Sequence, residues 1–308
     1  MTTRSALVFP GQGSQRVGMF DAVPELDSLD RLLDAAEALS GFDLRAYAAS
    51  GTPADLADTR IAQPLLYLAD WAWGVTLLGS GVAPVAVAGH SLGELAALAV
   101  AGVFSPEAGL ELVVERSRFM AVAASETPGT MSAVLGLDGP VVAQAIDDIP
   151  GVWVANDNSP GQVVISGTHE AVSAAATALA EVGARRVVPL PVSGAFHSPL
   201  MASAGEQFGR LLSGATFADA RIPVLSNTEP LATLDAETIR ERLSSQITSP
   251  VRWTETMLAI AADGPAVLVE CGPGNVLAGL AKRVEGLTAL SVETLELSRI
   301  VEEVHSDG

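Results

Sequence analysis

The sequence predicts an α/β fold with a doubly wound large domain and an inserted ferredoxin-like α+β subdomain. Three observations carry this reading. An apolar strand runs into the turn Gly89-His90-Ser91-Leu92-Gly93 and continues as an alanine-rich helix. Strand-like and helix-like segments alternate on both sides of that turn, as in a doubly wound sheet. Between about 125 and 191 the order becomes β-α-β-β-α-β, the split βαβ unit.

Taken in order, Ala6-Leu7-Val8-Phe9 is a short buried strand stopped by Pro10-Gly11-Gln12-Gly13-Ser14. Helical spacing of leucine and alanine follows at 25–39, and a second apolar helix at 63–78. After the glycine-flanked turn, Ser105-Pro106-Glu107 supplies an N-cap, a proline at the first helical position and an early acid. That helix is expected to reach about Ala123. Residues 131–137, 152–156, 162–166 and 185–190 have strand patterning, with helices at 139–147 and 169–182. We assign 125–191 to the small subdomain, and 1–124 with 192–308 to a large catalytic α/β domain. A strand at 222–227, a helix from about 236 and a strand-turn at 266–274 entering a last helix resume the α/β pattern. The charged tail after Glu293 is expected to fray.

Composition narrows the function. The 308 residues are 49% hydrophobic, enough for a large core and against extensive disorder. No run of 18 apolar residues marks a membrane helix, and the four apolar residues near the start are too few for a signal-peptide core. A cytoplasmic protein is expected. The formal charge of −19 excludes general affinity for nucleic acid or anionic membrane. A single cysteine, Cys271, excludes an internal disulfide, and no Cys/His/Asp spacing points to a metal.

The G-x-S-x-G turn between strand and helix makes Ser91 a candidate nucleophile and leaves Leu92 N–H at a helix N-terminus, where it can donate to an oxyanion. A serine needs a base, and the chain has four histidines. His169 begins a helix, His305 lies in the tail, and His90 adjoins Ser91 too closely to fold back onto it. His197, in the loop "PVSGAFHSPLM", is left by elimination. No acid is an obvious third member: Asp147, Asp148 and Asp157 lie at no clear strand exit, and a neutral acceptor such as a backbone carbonyl is the other option. "FPGQGSQ" at 9–15 lacks the features of a P-loop, but its N–H groups could supply a second oxyanion donor. Arg116, within an apolar helix, either snorkels at the flank or clamps a carboxylate. Cys271 fits a buried structural thiol, and Glu94 fits simple placement near the positive end of a helix dipole.

Seven segments together resemble the malonyl-CoA:acyl-carrier-protein transacylase family and the acyltransferase domains of polyketide synthases. They are "FPGQGSQ" (9–15), "GHSLGE" (89–94), "RSRFM" (116–120), "NSPGQVVISG" (158–167), "GAFHS" (194–198), "QITSPVRW" (246–253) and "GPGNVLAGL" (272–280). The resemblance implies a hydrolase-like α/β domain carrying the ferredoxin-like subdomain. It implies Ser91 as nucleophile, His197 as base, Gln12 and Leu92 as oxyanion-hole amides, Arg116 as binder of the malonyl carboxylate, and the Gln246 carbonyl as partner of His197. Asn158 and Asn156 are implied to line the pocket. Phe196 before His197 resembles the malonyl-type pattern of the polyketide enzymes, where serine goes with methylmalonyl. The implied reaction is ping-pong, from coenzyme A to a phosphopantetheine thiol on an acyl carrier protein, with no bound cofactor. Other acyltransferases of polyketide pathways, the transferase subunit of malonate decarboxylase, a serine thioesterase or hydrolase, and a non-catalytic carrier-binding protein are the competing readings. A monomer is expected. Because carrier proteins of this kind are generally acidic, docking should use local cation pairs, of which Arg185-Arg186 and Lys282-Arg283 are the clearest.

Overall fold

A computed structural model describes residues 3–305 of the chain. Strand β1 (Ser5–Phe9) is apolar on both faces: Leu7 and Phe9 enter one core, Ala6 and Val8 another. That pattern puts it inside a sheet covered on both sides. Helices α1 (Asp27–Ser40), α2 (Leu44–Ser50) and α3 (Pro53–Ala57) follow. The sequence reading passed over α2 and α3, yet both begin at side-chain caps. Asp43 accepts from Ala46 N–H, and Thr52 forms a capping box with Asp55. Helix α4 (Thr59–Gly79) is buried along most of its length and leads to β2 (Ala86–Gly89) and α5 (Gly93–Val100). Helix α6 (Pro106–Glu126) starts as expected, with the Ser105 side chain accepting from Ala108 N–H, and runs slightly past the expected end.

Next come β3 (Thr130–Leu135), α7 (Gly139–Ile146), β4 (Val152–Ser159), β5 (Gln162–Gly167), α8 (His169–Glu181) and β6 (Arg186–Pro189). They form an antiparallel sheet of order β4-β5-β3-β6 with its own core, including Val134, Val142, Ile165 and Leu179. The chain then supplies α9 (Ala202–Gly214), β7 (Val224–Leu225), α10 (Ala236–Ser245), α11 (Trp253–Ala261), β8 (Ala266–Glu270), α12 (Val276–Ala281), β9 (Leu287–Ser291) and α13 (Leu297–His305). The larger sheet is parallel, in the order β7-β2-β1-β8-β9. The chain runs from β1 through β2 to β7 on one side, then crosses back to β8 and β9 on the other side of β1. Open α/β sheets open a crevice at their strand ends where the strand order reverses.

One expectation is overturned. Over its described part the tail does not fray: α13 buries Ile300 and Val304, four residues apart, in the large core. Its charges face outward, where Arg299 pairs with Glu302 and Glu303. Residues 306–308, the rest of that tail, lie outside the described residues.

Strand β4 of the small sheet is tied to the segment that enters α11. Asp157 N–H donates to Val251 O at 2.9 Å, Val251 N–H to Ala155 O at 2.8 Å, and the Thr254 hydroxyl to the Asp157 carboxylate at 2.6 Å. This seam fixes the edge of β4 against the entry to α11. No helix among the described residues is long and apolar enough to cross a membrane.

Candidate active site

Ser91 stands on the turn between β2 and α5 with φ 52°, and His197 has φ 56°. Among the described residues these are the two non-glycine positions with left-handed backbone, a conformation that costs on the order of 1–3 kcal/mol each and persists only when the surroundings enforce it. The glycines show how. A Cβ on Gly89 would lie 1.9 Å from Gly93 C, and one on Gly93 would lie 2.1 Å from Phe9 O. On Gly11 it would lie 2.4 Å from His90 O. Only hydrogen fits at these contacts, so the turn after β1 and the elbow after β2 press together.

Ser91 Oγ lies 2.7 Å from His197 Nε2. His197 Nδ1 faces two carbonyls, Gln246 O at 3.0 Å and Ser249 O at 3.2 Å. Two acceptors require the proton on Nδ1, which leaves Nε2 as the acceptor of the serine proton. Burial, then the Arg116 charge, push His197 down to about 3, against the pull of the Gln246 and Ser249 carbonyls, so the ring is neutral at physiological pH. Its orienting partners are the neutral option, two backbone carbonyls, and among the described residues Asp147, Asp148 and Asp157 make no hydrogen bond with it.

Arg116 is fully buried, which decides against snorkelling. Its Nη1 donates to Gln63 Oε1 at 2.7 Å, and its Nη2 to Gln246 Oε1 at 2.8 Å and to Ser91 Oγ at 3.2 Å. Arg116 Nε is buried without a partner. Burial lowers the guanidinium to about 10, opposed by the charge of Glu94, so it remains a cation at neutral pH. Ser91 N–H is taken by Asn227 Oδ1 at 2.7 Å. The N–H groups of Leu92 and Gln12 donate to no acceptor among the described residues. Ser91, Leu92, Gln12, His197, Arg116 and Gln63 border one cleft of about 450 Å³, whose lining also includes apolar Met120, Met131, Ala133 and Phe196 and polar Asn156, Asn158 and Gln162.

The acyl transferase domain family matches residues 6–302. The malonyl CoA-acyl carrier protein transacylase of Synechocystis sp. is 44% identical over 280 residues, covering 91% of this chain and 93% of the relative. The enzyme of that name from Salmonella typhimurium is 42% identical, covering 93% and 95%. A malonyl-transacylase solved in complex with its holo type II polyketide acyl-carrier protein superimposes with a TM-score of 0.91 at 37% identity, covering 99% of this chain and all of that one.

The chain belongs to the malonyl-CoA:acyl-carrier-protein transacylase family.

In this transacylase, Ser91, His197, Arg116, Gln12, Leu92, Phe196 and Asn158 line the cleft, and Gln246 stands behind it, bonded to Arg116 and His197. Asn158 Oδ1 lies 2.9 Å from His90 Nε2, so His90 serves the cleft wall rather than the serine. Exposed Lys282 and Arg283 directly follow α12, whose Val276, Leu277 and Leu280 line the cleft, and Arg283 donates to Pro160 O at 3.2 Å. Exposed Arg186 pairs with Leu135, which pairs in turn with the cleft residue Gln162. Arg186 therefore lies two strands across the small sheet from Gln162, at the start of β6, whose far end leads into the cleft residues Leu190, Pro191 and Val192. Many other arginines are spent in ion pairs, such as Arg16 with Glu293 and Arg60 with Asp58, but these four cations form none among the described residues. Cys271 is buried and donates to Val269 O, in keeping with a structural thiol.

The dipole reading of Glu94 is incomplete. Glu94 is buried and accepts from Gln246 Nε2 at 2.7 Å and from Asn227 N–H at 3.2 Å. Gln63 and Asn227 escaped the sequence reading. A glutamine within the apolar stretch of α4 and an asparagine ending the strand "IPVLSN" were the available signals.

Proposed function

We propose that this transacylase moves a malonyl group from coenzyme A to the phosphopantetheine thiol of an acyl carrier protein through an acyl-Ser91 intermediate. The observation that carries the reading is the pairing of an activated serine with a buried cation 3.2 Å away. Ser91 gives its proton to His197 Nε2 as Oγ attacks the thioester carbonyl, and the oxyanion is met by Gln12 and Leu92 N–H. The C–S bond breaks and His197 returns the proton to the departing thiolate. The carrier thiol then repeats these steps in reverse. Gln246 O holds the imidazole and offsets the positive charge it acquires.

Arg116 contributes twice. It positions the acyl group through its carboxylate, and its charge depresses the basicity of His197 until a carboxylate neutralises it. Acyl groups without a carboxylate leave that depression in place. A plain serine hydrolase would have no use for such a cation. The test is to incubate enzyme, malonyl-CoA and holo carrier protein. Malonyl should accumulate on the carrier with little free malonate, whereas malonate release without carrier loading would support a hydrolase.

Phe196 is proposed to exclude a branch at the acyl α-carbon. It is buried, and a Cβ on neighbouring Gly194 would meet its ring at 3.2 Å, so the ring has little room to yield. Overpacking costs about 1–3 kcal/mol, or roughly 5- to 150-fold in selectivity. Phe196→Ser should raise the methylmalonyl-to-malonyl loading ratio within that range, measured by competition between the two CoA esters. An unchanged ratio contradicts the steric account.

Docking of an acidic carrier on a chain of net charge −19 requires local attraction. Lys282-Arg283, just after the cleft-lining helix α12, and Arg185-Arg186, at the start of β6, are proposed to supply it. Reversing all four charges should raise carrier KM about tenfold or more, leave acylation by malonyl-CoA nearly intact, and matter less at high salt. An unchanged carrier KM would place docking elsewhere.

The carrier, coenzyme A and the acyl group are substrates. We propose a cytoplasmic monomer that needs no resident cofactor, with 125–191 as its small subdomain.

A further inference from the structure

A continuous chain of hydrogen bonds, buried around Arg116 and partly buried at its ends, runs through that residue. On one side Arg116 donates to Gln63 Oε1, Gln63 Nε2 to Thr59 Oγ1, Thr59 to Gln12 Oε1, and Gln12 Nε2 to Ala57 O. On the other side Arg116 donates to Gln246 Oε1, and Gln246 Nε2 donates to Glu94 Oε2 and to Ser91 O. The cation dictates the direction of every link. It has donors only, so both glutamines must turn their oxygens toward it and their NH₂ groups away. Each NH₂ then needs an acceptor on its far side, because a buried unpaired amide is costly. For Gln246 that acceptor is Glu94.

We infer that Glu94 is a positioning residue for acyl selectivity: it holds the Gln246 amide with its oxygen on Arg116 and thereby holds the guanidinium in place for a carboxylate. The inference rests on the malonyl-transfer reading above. An acid touching Arg116 directly would occupy the cation that substrate needs. Set one amide away, Glu94 orients the guanidinium without covering it, and Arg116 Nε stays unpartnered. The Gln246 main chain serves His197 while its side chain serves Arg116, so the two functions can be separated by substitution.

The experiment measures loading of malonyl-CoA and acetyl-CoA in parallel by intact-protein mass. Glu94→Met, similar in length but unable to accept, should lower the malonyl-to-acetyl ratio about tenfold or more. Glu94→Gln, which still offers an oxygen to Gln246 Nε2, should restore most of that ratio. Gln246→Leu should lower the ratio by itself, and Glu94→Met added to it should lower it little further. Equal losses for both acyl groups in Glu94→Met would assign Glu94 to the elbow alone and overturn the inference. So would the same further ratio drop in the Gln246→Leu background. If Glu94→Met does not fold, an unchanged ratio in folded Gln246→Leu overturns it equally. Failure of the parent reading is distinct, because wild-type enzyme would then form no malonyl adduct.

Discussion

His197→Ala should slow acylation by malonyl-CoA by about 10²–10⁴, the span of lost general-base help. The serine proton has one basic acceptor at hand, His197 Nε2 at 2.7 Å, whereas the other side chain touching Ser91 Oγ is the donor Arg116. His90 cannot substitute, since its Nε2 is engaged with Asn158 and burial lowers its basicity. Rapid-quench measurement of the adduct checks this, and loading within a few-fold of wild type would remove His197 from the mechanism. The fold should tolerate the change poorly at one point only: φ 56° suits alanine less well than glycine. His197→Gly therefore serves as the control for backbone strain, and both variants should show the same slow loading.

Arg116→Ala should lose malonyl loading by about 30- to 5,000-fold, from the roughly 2–5 kcal/mol that a buried, hydrogen-bonded charge pair is worth when one partner is truncated. Acetyl loading should persist or rise. Acetyl has no carboxylate to place, and removing the cation also removes the charge that depresses His197. The comparison of the two CoA esters on one variant separates specificity from folding, since a protein that still loads acetyl is folded. Equal loss of both would make Arg116 structural, an internal strut between Gln63 on α4 and Gln246 after α10.

Much of this site was legible in the sequence because its central feature is local. A strand, a glycine-flanked serine and a helix are contiguous, and the steric need for Gly89 and Gly93 is written at fixed spacing. His197 came by elimination, which works only in a chain so poor in histidine. Arg116 was legible as an oddity, a cation in an apolar helix, but the sequence could not say whether it faced solvent or cleft. Burial decided it. What stayed hidden is what connects residues far apart in the chain. Glu94 and Gln246 are 152 positions apart, and Ser91 and Asn227 are 136 apart. No periodicity encodes such contacts, and an amide in a helix or at a strand end looks ordinary until the tertiary fold closes over it. The tail was misread for a different reason: its charge was weighed ahead of the four-residue spacing of Ile300 and Val304, and that spacing buried the helix.

The proposed chemistry makes one covalent species, and its detection is the most direct test. Enzyme mixed briefly with malonyl-CoA, denatured and weighed intact, should carry one added malonyl group. Peptide mapping should find that group on Ser91, and Ser91→Ala should carry none. A malonyl group on Cys271, or no adduct in wild type under conditions where the carrier protein becomes malonylated, would contradict the account.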